Sequence, residues 1–160
     1  MGPLLELLRT STPEGRTEAA GAIRELAVSS GERAAILASM GAFEPLVRLL
    51  EEGTPEGRSC AASALHFLAL HSAERVAGAL AAGALEPLLR MLSSGIASEE
   101  AEAARLLCSL IAGSDERKAM VVEAGVLGPL VKLLQDGSFE GRSAAAAVLW
   151  RLVYGSTTRG

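Results

Sequence analysis

Aromatic side chains are nearly missing from this chain. Its 160 residues include one Trp, one Tyr and three Phe, 3% of the total, although 49% of the residues are apolar. A core must then be built from Leu, Ala, Val and Ile, and Ala and Leu are the strongest helix formers. Cysteine is scarce as well. Cys60 and Cys108 sit among apolar residues with no paired spacing, which reads as two small reduced core or groove residues. The expected setting is a reducing compartment, cytoplasmic, nuclear or both. An excess of positive charge is also lacking: 15 basic and 19 acidic residues give a net charge of −4, and neither half of the chain is basic. That argues against nucleic acid as a partner, since nucleic acid requires a clustered positive surface. No apolar run reaches the ~18–20 residues of a membrane span, so no membrane partner is expected. The Met1-Gly2 start has no basic region before an apolar stretch, and Pro3 follows directly, so it reads as neither a signal peptide nor a myristoylation site.

The motifs of catalysis are missing too. There is no phosphate-cradling glycine loop after a strand, no nucleophile elbow and no His/Cys cluster with metal spacing. His66 and His71 lie five apart with no third ligand near them in sequence, too few for a metal. The expectation is no enzyme, no catalytic residue, no metal and no cofactor.

What the chain does contain is a repeated phrase. Gly83–Leu92 reads GALEPLLRML, Gly41–Leu50 reads GAFEPLVRLL, Gly125–Leu134 reads GVLGPLVKLL, and Pro3–Leu8 is the same phrase without its start. The prolines fall at 3, 45, 87 and 129, so every step is 42 residues. A fixed period of this length is the mark of a helical solenoid. Each repeat reads as a short helix, a helix and a longer helix. Thr12-Pro13-Glu14 and Thr54-Pro55-Glu56 open long helices with a hydroxyl cap, a proline and a carboxylate. In the third repeat Ile96 replaces the Thr, and Ser98 is the expected cap. The Glu-Gly-Arg triplets at 14–16, 56–58 and 140–142 read as capping and local pairing. Gly41, Gly83 and Gly125 are the expected left-handed stops of the short helices. The columns Leu4/Leu46/Leu88/Leu130 and Leu26/Leu68/Leu110/Leu152 are expected to hold the stack together. Ala19/Ala61/Ala103/Ala145 and the column beside it allow close approach of helices. These boundaries give one domain over 1–155, with units at about 3–30 (truncated), 31–72, 73–114 and 115–155. Residues 156–160 are expected to be a disordered tail.

The period, the Gly-Ala-Leu-x-Pro-Leu-Leu phrase and the three-helix unit resemble armadillo repeats. The texture of Gly53–Leu65 and Ala144–Trp150 is most similar to the armadillo domains of plant-type U-box proteins, and no U-box lies in these residues. The resemblance implies an all-α, right-handed superhelical solenoid whose third helices line a concave groove for an extended peptide or partner protein. In nuclear-import receptors of this family that groove carries a ladder of Trp and Asn. Here the corresponding columns read Gly21, Ser63, Arg105, Ala147 and Glu25, Phe67, Ser109, Arg151, so neither ladder is present and a receptor for nuclear-localisation signals is not expected.

The apolar stripe of the long helices places the groove face independently. Positions 19, 20, 23, 26 and 27 point inward, so at ~100° per residue the wet face carries 18, 21, 25 and 29 and their repeats. The candidate groove residues are Glu18, Glu25, Ser63, Phe67, His71, Glu102, Arg105, Ser109 and Arg151. Phe67 either packs on a neighbouring long helix or stands open as an anchor. Arg105 and Arg151 are either paired with nearby carboxylates or offer guanidinium forks to acidic groups. Glu18 and Glu25 mark an end that accepts a basic residue. Trp150, one position off this face, is expected to pack between repeats. The first repeat lacks its short helix and neither end has a polar cap repeat. The alternative reading is therefore a structural or assembly segment of a longer array, self-associating through uncapped ends.

Overall fold

The computed structural model describes residues 2–157. Within them lie eleven helices and no strand: α1 (Gly2–Thr10), α2 (Pro13–Ser29), α3 (Gly31–Ser39), α4 (Phe43–Glu52), α5 (Pro55–Ala69), α6 (Ala73–Ala81), α7 (Leu85–Leu92), α8 (Ala97–Ile111), α9 (Asp115–Glu123), α10 (Leu127–Asp136) and α11 (Phe139–Thr157). α2, α5, α8 and α11 are the long third helices of the four repeats. The chain divides into two compact units, Met1–Pro87 and Leu88–Gly160. In the first, α5 lies alongside α2 and α4, and α1 also packs on α2. In the second, α11 lies alongside α8 and α10.

Local chemistry sets the helix starts. Thr12, Thr54 and Ser138 accept hydrogen bonds from the N–H of Gly15, Gly57 and Gly141, each at 3.1 Å. The middle glycine of each Glu-Gly-Arg triplet is thus the capped donor. Thr54→Ala and Ser138→Ala are each expected to cost about 1 kcal/mol, read as a shift of the urea midpoint; unchanged midpoints would show the caps to be idle. The third repeat differs from expectation. α8 begins at Ala97, so Ser98 lies inside the helix and is not its cap. Ile96 has no side-chain acceptor, and the turn is held instead by Ser94 and Glu100. Ile96 N donates to Ser94 Oγ at 3.1 Å and Gly95 N to Glu100 Oε2 at 3.0 Å.

The short helices have a capping column of their own, which the sequence analysis did not foresee. Ser30, Ser72 and Ser114 accept from the N–H of Arg33, Arg75 and Arg117 at 3.3, 3.2 and 3.1 Å. Two of the same arginines reach back to close the preceding long helix. Arg75 Nη2 donates to Leu70 O at 3.5 Å and Arg117 Nη2 to Ala112 O at 3.0 Å, as cations near helix C-termini do. Gly41, Gly83 and Gly125 take φ of 86°, 93° and 94°, a conformation costly for a residue with a Cβ.

The core columns follow the repeat, with exceptions at its ends. Leu46, Leu88 and Leu130 are fully buried, as are Leu68 and Leu110, while Leu4 and Leu26 of the first repeat are only half-buried. Ala20, Ala62 and Ala104 are buried but Ala146 is exposed. α11 continues through Thr157, two residues into the stretch expected to form a tail; 158–160 lie outside the described residues.

Candidate functional site

The candidate face is built on the long helices, and each unit presents a part of it. In the first unit Arg24 of α2 organises the surface. Its Nε donates to Ser63 Oγ of α5 at 2.8 Å, its Nη1 pairs with Glu25, and its guanidinium lies 5.6 Å from the centroid of the Phe67 ring. His66 meets the Phe67 ring edge-on, centroids 4.8 Å apart. Phe67 is therefore half-buried and roofed by a cation from the adjacent long helix, the packing alternative rather than an open anchor. Ser63 was expected on the wet face; it is buried, because α5 lies against α2 and turns this serine toward Arg24. Glu18 and Glu25 are exposed. His71 is exposed too, at φ 64° just past the end of α5. The same turn of the third repeat holds Gly113 at φ 73°, so this position is a left-handed helix stop that a histidine fills.

In the second unit Arg105 is engaged twice. Its Nη1 bonds Glu102 one turn earlier on α8, and its Nη2 lies 3.7 Å from Glu140 of α11. Two carboxylates around one guanidinium leave this spot net negative, so an acidic ligand here would have to displace one of them. The paired reading of Arg105 is the one this geometry contains. Ser109 is buried, again contrary to its expected place on the wet face, since α11 lies alongside α8. Arg151 is exposed. Burial pushes the Cys108 thiol up from its ordinary value, and the Arg151 charge opposes that shift. Trp150 is not packed between helices as expected: it is 61% exposed and stacks on Tyr154 with centroids 4.8 Å apart.

Arg24 is the residue that sequence reasoning missed. Its signal was positional: Arg24, His66, Cys108 and Trp150 form one column at the 42-residue step, adjacent to the expected groove column. Among the described residues no three His, Cys, Asp or Glu side chains gather into a metal-holding group. A depression of about 170 Å³ lined by Gly95, Glu100, Lys132 and Asp136 lies in the second unit, well under the roughly 300–1,000 Å³ of small-molecule sites.

Comparison with known proteins agrees with this architecture. Residues 114–154 match the Armadillo/beta-catenin-like repeat family. An engineered protein of known crystal structure is 32% identical, with a TM-score of 0.88 over 94% of this chain and 61% of that one. A designed armadillo repeat protein in complex with the peptide (KR)4 is 33% identical, with a TM-score of 0.86 over 93% and 62%. A third structure, of computationally designed armadillo repeat proteins for modular peptide recognition, is also 33% identical, with a TM-score of 0.86 over 93% and 63%. This chain thus spans 61–63% of the length of those three proteins. No curated protein sequence matches it. The fold is an all-α solenoid of armadillo repeats.

Proposed function

We propose that this chain is a protein-interaction scaffold whose long-helix face binds an extended peptide or a partner segment, with no catalytic role. The observation that carries the reading is the likeness to a designed armadillo repeat protein in complex with (KR)4. The charges on the face support a basic ligand. Glu18 and Glu25 are exposed on α2, and Glu102 and Glu140 outnumber the one arginine they flank. Glu102 and Glu140 already occupy Arg105, which disfavours an acidic ligand group there, and Arg151 is the candidate cation that remains exposed. Packed helices lie about 8–10 Å apart and an extended peptide advances about 3.3 Å per residue, so one helix step takes about three peptide residues. The likeness to plant-type U-box armadillo domains rests on residue texture alone and brings no ligase activity into this reading. No helix among the described residues is long and apolar enough to cross a membrane. Cys108 is a free thiol, which suits the reducing cytoplasmic or nuclear setting proposed here.

Fluorescence anisotropy with labelled basic, acidic and neutral peptides tests the reading. The expected result is a preference for the basic peptide that weakens with salt and falls about tenfold or more in the double variant Glu18→Arg/Glu25→Arg. Equal binding of all three peptides, or a charge-reversed variant that binds the basic peptide unchanged, would sink it. A second reading, self-association, is favoured by one observation. α11 exposes Phe139, Trp150 and Val153 by 61% to 77%, and large apolar side chains open to solvent along one helix favour contact with another protein.

A further inference from the structure

The one phenyl ring among the candidate groove residues already holds a guanidinium. Arg24 of α2 reaches toward α5 and makes three contacts of different chemistry. Its Nε donates to Ser63 Oγ at 2.8 Å, its Nη1 pairs with Glu25, and its guanidinium lies 5.6 Å from the centroid of the Phe67 ring. All four residues belong to the first compact unit. A carboxylate and an aromatic face set side by side suit a planar guanidinium better than a compact ammonium. The corresponding positions of the second unit are Cys108, Ser109, Ala147 and Arg151. These offer neither a carboxylate nor a ring, so the set is particular to the first unit.

The parts of this set differ in how freely they move. Ser63 is buried on α5 and Phe67 is half-buried there. The side chain of Arg24 is 40% exposed. The hydroxyl and the ring are thus set into the helix face, while the cation that fills them sits at the end of a long chain that reaches solvent. Everything Arg24 supplies, a second guanidinium can supply from outside: a donor for Ser63, a positive charge for Glu25 and a flat face for Phe67. The advantage of Arg24 is its tether, which keeps it near the set at an effective concentration on the order of millimolar. Glu18 differs from Glu25 in this respect. It is exposed on the same helix, two turns earlier, and among the described residues no ion pair engages it.

We propose that Ser63, Glu25 and Phe67 form an arginine site on the long-helix face, that Arg24 fills it in the free chain, and that an arginine side chain of a basic ligand enters by displacing Arg24. This site rests on the basic-peptide reading above and adds one subsite to it. Glu18 is open to a ligand cation at once, whereas Glu25 becomes open only by exchange. The entering and leaving groups make the same contacts, so exchange gains little. The chain as it stands therefore separates arginine from lysine only weakly, and Arg24 is the specificity-determining residue that masks the difference. Long-range charge acts differently. Removing one cation strengthens the attraction for any basic ligand, but that effect is screened by salt and does not tell a guanidinium from an ammonium.

Fluorescence anisotropy with labelled octa-arginine and octa-lysine tests the proposal on the full chain, with the ratio of the two affinities as the readout. Arg24→Ala, folded by circular dichroism, should raise that ratio about five- to tenfold in favour of octa-arginine, the order of one cation–π contact or charge-assisted hydrogen bond. Arg24→Lys keeps the charge and leaves a poorer occupant, so the ratio should rise there too, by about two- to threefold. Adding Phe67→Leu or Glu25→Gln to Arg24→Ala should return the ratio to that of the unaltered chain. Octa-arginine bound by Arg24→Ala and not by the unaltered chain would support the site most directly. A ratio that stays the same in both Arg24 variants, or that rises just as far with Phe67→Leu and Glu25→Gln in place, would overturn the site and leave the basic-peptide reading standing. Failure of the chain and of every variant to bind either peptide would end both.

Discussion

Leu68→Ala and Leu110→Ala are each expected to destabilise the chain by roughly 2–5 kcal/mol, the range for buried leucine truncations. Leu68 of α5 and Leu110 of α8 are both fully buried, one in each compact unit. Removing three carbons from either site loses transfer free energy and leaves a cavity that close-packed neighbours fill only partly. The buried core is mostly Leu and Ala, short side chains poorly suited to filling such a gap. Glu18→Ala, at an exposed site, should stay within about 0.5 kcal/mol. Denaturant melts of the three variants check the face assignment of the long helices. Similar losses in all three would mean that it is rotated.

Gly53→Ala is the second large effect, expected at about 1–3 kcal/mol, the range for forcing extra volume into a packed site. Gly53 follows α4 with φ −74°, which any residue adopts, so the cost is not backbone strain. A Cβ there would lie 2.5 Å from the carbonyl oxygen of Leu49 and 2.9 Å from its Cδ1. That oxygen is also the acceptor for Gly53 N at 2.8 Å, so it cannot retreat without loosening the end of the helix. Gly137, two repeats on, faces Leu133 in the same way and should respond alike. Gly21 is the control. It lies inside α2 with nothing within 4 Å of a new Cβ, and Gly21→Ala should stabilise by about 0.5–1 kcal/mol, since glycine costs that much in a helix interior. Thermal or urea melts that move Gly53→Ala and Gly21→Ala in the same direction would contradict this account.

The helix order, the breaks and two of the long-helix caps were legible in the sequence. Thr12 and Thr54 cap the helices they were expected to cap, and Gly41, Gly83 and Gly125 end the ones they were expected to end. Ser98 was misplaced because a cap is settled by turn geometry, and Ser94 with Glu100 satisfied the turn first. The wet face of the long helices was legible only in part. Periodicity gives the direction away from the inward stripe. It does not give the position of the next long helix, which lies to one side and covers Ser63 and Ser109.

By itself, then, the sequence determined the period of 42 residues, the three-helix grammar and the leucine and alanine columns. These are local or strictly repeated features, and a helix and its cap depend on residues within a turn or two of one another. Tertiary structure decided which charges are already spent. Arg24 and Ser63 are 39 residues apart in the chain, and Arg105 and Glu140 are 35 apart. No helical period links such partners; each pair is made only when one long helix lies beside another. That packing roofs Phe67, surrounds Arg105 with carboxylates and leaves Trp150 open, because a long polar side chain takes the partner that packing brings within its reach.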